Sequence, residues 1–157
     1  MQAALRALAR VFMRGCFPSV KQLPTAQLAA WLTDGSRPPP LLLDVRRPGE
    51  FAVSRIAGAR RVDAGASAAE VLRGVPAGQP IVCYCAAGFR SSLMARRLAS
   101  AGRTQIFNLE GAIFDWACEG RPLERDGQPV REVHPFNWLG RLMLPHDVCA
   151  HAPSLRH

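Results

Sequence analysis

"PIVCYCAAGFRSS", Pro80 to Ser92, is the stretch from which the rest of the chain is best read. Ile81 to Tyr84 is a short apolar run without a charge, which predicts a strand buried on both faces, as in a parallel sheet. Cys85 ends that strand. Two alanines, Gly88, Phe89 and Arg90 follow, and a helix is expected from Ser91 to Ala101, closed by Gly102. In such sheets ligands bind beyond the carboxyl ends of strands. The backbone amides of Ala86 to Arg90 can curl around one point, aided by the positive end of the helix. Gly88 permits the backbone angles a tight loop needs. Arg90 adds a planar fork of donors. The stretch therefore reads as a nucleophilic thiol in a cradle for anions, with a buried core thiol as the bland alternative.

Working outward, "LLLDV", Leu41 to Val45, is a second buried strand. Shorter strands are expected around Val20, at Arg60 to Val62 and at Gln105 to Leu109. Helices are expected from Thr25, as N-cap, through Thr33, and within Arg47 to Ile56, Ala66 to Arg73 and Gly111 to Gly120. Strands alternating with helices give an α/β fold with a mostly parallel sheet. Met1 to Arg14 reads as an amphipathic helix with Leu5, Leu8, Val11 and Phe12 on one stripe. It lacks the continuous apolar core of a signal peptide. Packing on the domain or on a second copy is its leading reading, ahead of organelle targeting or attachment to a membrane surface. His134 to Leu144 is read as a last helix, with Phe136 and Trp138 either a cover over the domain or a self-association patch. The last ten or so residues read as loose.

The chain has 157 residues, 48% of them hydrophobic and 20% charged, as in a soluble globular protein. No run of apolar residues is long enough to cross a membrane. The net charge of +8 is carried almost wholly by scattered arginines, with no dense basic run, which argues against nucleic-acid binding. The five cysteines, an odd number, form no disulfide framework or zinc pattern and read as reduced thiols in a cytoplasmic setting. Cys83 and Cys85 point to one face of their strand, so Cys83 is a resolving partner or a core residue. Cys118 reads as core, Cys16 and Cys149 as exposed thiols of the extensions. His134, His146, His151 and His157 are not at metal-ligand spacing and read as surface residues.

"CAAGFRSS" after "IVCY" resembles the active-site loop of rhodanese-like sulfurtransferases. "LLLDVRRPGEF", "RIAGARRV" and "NLEGAIFDWACEGRPL" resemble further segments of that family, in the family's order, from about Val20 to Leu123. The resemblance implies a rhodanese-like fold, a five-stranded parallel sheet flanked by helices on both faces. It divides the chain into an N-terminal helix (1–17), a rhodanese-like domain (18–125) and a C-terminal extension (126–157). It implies an enzyme in which Cys85 takes a sulfane sulfur as a persulfide and passes it to a thiol or cyanide-like acceptor, with no metal or organic cofactor. Thiosulfate or a persulfide would be the donor. By position, Cys85 and Arg90 are the catalytic candidates. Ala86, Ala87, Gly88, Phe89 and Ser91 would line the substrate site. Asp44 and Arg46 would brace it or, alternatively, form a surface ion pair with a helix cap. The neutral Ala86, Ala87 and Phe89 depart from the charged or polar residues common in such loops, and favour a persulfide over thiosulfate. Arg55, Ala57 and Arg61 depart from the family's usual histidine, proline and asparagine. Two other readings remain at this point: a non-catalytic scaffold of the same fold, and a cysteine-dependent phosphatase or arsenate reductase. The four residues between Cys85 and Arg90 make a ring narrower than a phosphatase needs. The terminal extensions are candidates for a homodimer contact.

Overall fold

A computed structural model describes residues 1–151. Five strands form one parallel sheet: β1 (Gln22–Leu23), β2 (Leu41–Asp44), β3 (Arg60–Arg61), β4 (Ile81–Tyr84) and β5 (Ile106–Leu109), in the order β1-β5-β4-β2-β3. The central strand β4 pairs with β2 from Leu41↔Ile81 to Asp44↔Tyr84, and with β5 from Ile81↔Ile106 to Cys83↔Asn108. Its period-two alternation feeds two cores. Val82 and Tyr84 join one with α2 (Thr25–Thr33) and α6 (Ala112–Cys118). Ile81, Cys83 and Cys85 join the other with α4 (Ala68–Val71) and α5 (Phe89–Ser100). A sheet covered on both faces must read as continuous apolar strands, as β2 and β4 do.

The remaining elements are α1 (Gln2–Cys16), α3 (Pro48–Val53), the hairpin β6 (Leu123–Arg125) and β7 (Gln128–Val130), and α7 (Trp138–Met143). Several expectations are corrected here. Pro24, rather than Thr25, caps α2, because the Thr25 hydroxyl is drawn 2.6 Å onto the Glu119 carboxylate. A hairpin that the sequence did not announce pairs Leu123↔Val130 through Arg125↔Gln128. Asp126 and Gly127 both have positive φ, the backbone of a tight hairpin turn. The last helix begins only at Trp138, since Asn137 caps it by accepting from the Gly140 amide. The segment after it is anchored, not loose, as far as it is described. The Val133 amide donates to the Val148 carbonyl and the Ala150 amide to the Val133 carbonyl. Cys149 is thereby buried, whereas Cys16 is exposed. His134 is half-buried; His157 and the end of the extension lie outside the described residues.

Candidate active site

Cys85 ends β4, and the loop to α5 folds back on its sulfur. The Gly88 amide donates to Sγ at 3.1 Å and the Ser91 hydroxyl lies 3.4 Å from it. Gly88 has φ +113°, a conformation that L side chains rarely adopt. The loop carbonyls are engaged elsewhere: Cys85 O accepts from Ile113 N, Ala86 O from Phe114 N and Gly88 O from Ser92 N. The start of α6 and the first turn of α5 thus hold the loop's acceptors outward. Among the described residues, the amides of Ala86, Ala87, Phe89, Arg90 and Ser91 have no backbone acceptor. Most of these belong to the first turn of α5, whose N–H groups have no partner within the helix. Two donors, the Gly88 amide and the Ser91 hydroxyl, thus meet at one sulfur.

Arg90 is fixed by Glu50, in the first turn of α3. Nη1 and Nη2 of Arg90 each lie 2.8 Å from a different oxygen of the Glu50 carboxylate. Glu50 is buried, and it also accepts from the Arg47 amide at 3.0 Å. Burial works against the Glu50 charge, but Arg90 and the Arg47 amide outweigh it and hold the carboxyl below its usual range. Burial likewise opposes the Arg90 charge; Glu50 and the Cys85 sulfur more than offset it and raise its pKa. The Phe136 ring covers the Arg90 guanidinium at 4.4 Å and meets Arg47 on its other side at 5.5 Å. Its backbone has φ +67°, so the ring is held over Arg90 by a strained residue.

Asp44 and Arg46 form a wholly buried ion pair, not a surface one. Arg46 Nη2 reaches Asp44 at 2.6 Å and the Ser54 carbonyl at 2.6 Å, and Nη1 reaches the Glu50 carbonyl at 3.2 Å. The pair thus holds the middle and the C-cap of α3, which carries Glu50. It bears on the loop through Glu50. Cys83 is completely buried, and burial pushes its thiol well above the ordinary range. It is a packed core residue. Helix α1 lies over the loop, with Met13 Cγ 3.5 Å from where a side chain on Gly88 would begin.

The rhodanese-like domain model matches residues 25–119, more than half of the chain. The chain belongs to the rhodanese-like family. The rhodanese-like domain is 33% identical over 75 residues to the YqhL protein of Bacillus subtilis, covering 48% of this chain and 59% of that one. It is 31% identical over 83 residues to a sulfurtransferase of Allochromatium vinosum, covering 53% and 77%. The rhodanese-like domain of the Anabaena protein Alr3790 superposes with a TM-score of 0.60 at 23% identity, over 69% of this chain and 84% of the other. That likeness concerns the fold alone. The matched segment runs from α2 to α6. The hairpin lies outside it, as do helices α1 and α7, which wall the loop of this rhodanese-like domain.

Proposed function

We propose that the protein is a sulfurtransferase that carries sulfur on Cys85 and accepts it from a persulfide. The observation that carries this reading is the loop itself, in which donors converge on a single sulfur and the nearby arginine is held in place. A Cys85 thiolate attacks the terminal sulfur of a donor R–S–S⁻. The new S–S bond forms as the old one breaks, and R–S⁻ leaves with the electron pair. An acceptor thiolate then attacks the terminal sulfur of Cys85–S–S⁻ and returns Cys85 as a thiolate. Each step is a displacement with no net oxidation. The amides of Ala86, Ala87, Phe89, Arg90 and Ser91 are suited to the anionic outer sulfur, which needs donors but no room for oxygen atoms.

The donor preference follows from charge. Ala86, Ala87 and Phe89 add none, and the charge of Arg90 is largely balanced by Glu50. A monoanionic persulfide suits that balance better than dianionic thiosulfate. The allied sulfurtransferase of A. vinosum supports the reaction class. The test is intact mass of the reduced protein after exposure to a small persulfide and, separately, to thiosulfate. One added sulfur from the persulfide, removed by cyanide and absent in Cys85→Ser, is expected. No gain from either donor would overturn the reading in favour of a scaffold; hydrolysis of an aryl phosphate dependent on Cys85 would favour a phosphatase.

A further inference from the structure

Helix α1 rests on the body through a mixed side: Leu5, Ala9 and Met13 pack on the cores, with polar groups among them. A surface helix ordinarily buries its apolar stripe. Here Arg6 reaches Asp115 at 2.8 Å, Arg10 binds the same carboxylate, and Gln2 donates to the Leu144 carbonyl. No residue of α1 is fully buried. Leu8, Val11 and Phe12 face solvent at 66%, 67% and 58% exposure. Val11 and Phe12 stand three and four residues after Leu8, on one side of the helix. Beside α1, helix α7 exposes Trp138 at 73%, with Leu139 and Leu142. An apolar cavity of about 520 Å³ runs between the two helices and ends on Ala87 and Phe89 of the nucleophile loop. Among the described residues, every exposed large apolar side chain except Leu32 lies in or beside α1, α7 or this loop.

The charges around this face are one-sided. Three carboxylates beside it are taken: Asp115 by Arg6 and Arg10, Glu110 by Arg14, Glu50 by Arg90. Three exposed arginines at its margin pair with no carboxylate among the described residues. Arg47 packs on Phe136, Arg96 on Phe17 beside Phe89, and Arg141 stands on α7 between Leu139 and Leu142. We infer that this face docks on an anionic lipid surface, with α1 and α7 in the interface and the unpaired arginines among the headgroups. A second copy would set these cations against one another, whereas anionic headgroups neutralise them. Leucine, phenylalanine and tryptophan over a basic margin are the pattern of helices that lie in an interface. The docking does not depend on the sulfur chemistry, but it would turn the nucleophile loop toward the lipid.

Trp31 and Trp116 are buried, so Trp138 reports the contact. The full chain is titrated with vesicles of phosphatidylcholine alone and of phosphatidylcholine with phosphatidylglycerol. Co-sedimentation and a blue shift of emission are expected with the anionic vesicles only. Arg141→Glu should weaken binding by about tenfold. Leu8→Asp with Phe12→Asp should abolish it, with the circular dichroism spectrum unchanged. Absence of anionic-vesicle binding in the wild type overturns the inference. If the emission shift instead follows protein concentration and a dimer forms, a second copy covers the face. A monomer that ignores vesicles assigns the face to a protein partner.

Discussion

The guanidinium of Arg90 must be close enough to the sulfur to attract an anion and rigid enough not to collapse on it. Glu50 meets both needs by gripping two nitrogens at once. Glu50→Gln keeps the shape but loses the charge and one of the two acceptors. We expect it to lower the rate of persulfide formation by roughly tenfold, since Arg90 loses its fixed orientation. It should also lower stability at neutral pH by about 1–3 kcal/mol, the range for a disrupted buried polar pair. The pH dependence has a definite sign. The folded carboxyl is held below its ordinary value of 4.5, so its stabilisation is complete above that pH and is lost as pH falls through the lower folded value. Urea midpoints of wild type and Glu50→Gln should therefore converge as the pH drops below about 4. At this scale the sequence was legible wherever partners are near neighbours. Cys85, Gly88 and Arg90 lie within one turn of chain. Glu50 stands 40 residues from Arg90, and nothing local marks the two as partners. Phe136 was visible as an aromatic, but its ring position depends on a positive φ that its own residue type disfavours.

Elements were legible where burial is uniform. β2 and β4 are buried on both faces and so carry no alternation to confuse with a helix. The hairpin β6–β7 went unread although Asp126-Gly127 is a strong turn signal, because its strands are only three residues each and partly exposed. The Thr25 cap failed for a different reason: a hydroxyl suited to local capping was claimed by Glu119, 94 residues away. The amphipathic pattern of α1 was plain, yet periodicity alone does not tell which side faces the body. Asp115 makes that choice here. Its carboxylate lies where a Cβ on Gly111 would be, which is why that turn, with φ +73°, is a glycine. Asp115→Asn should free Arg6 and Arg10 and loosen α1 from the body. Hydrogen exchange read by mass spectrometry should show the α1 amides losing protection while β4 and β5 keep theirs. Equal loss throughout would mean that α1 and the sheet unfold as one unit.

Across the whole molecule, charge and core make separate demands. The buried pairs Asp44–Arg46 and Glu50–Arg90 are shielded from salt, while the net charge of +8 lies mostly on exposed arginines that repel one another. Thermal unfolding followed by circular dichroism should therefore shift to higher temperature as sodium chloride rises from about 0.01 to 0.15 M, across which the Debye length falls from roughly 30 to 8 Å. A falling midpoint would mean that surface ion pairs, not repulsion, dominate. The architecture at this scale followed from the order of strands and helices. What did not follow was that the two terminal segments meet over the loop, a contact with no local trace in the chain.

That meeting also sets an order of events during folding. Gln2 and Leu144 are 142 positions apart, and closing a chain of that length without a formed sheet would cost about 4 kcal/mol in entropy alone. Once the sheet stands, its ends are already neighbours and the cost has largely been met. The seam between α1 and α7 is thus the last part of the protein to close. Until it does, a newly made chain presents a finished thiol loop without its walls, and oxidants reach Cys85 most easily in that interval.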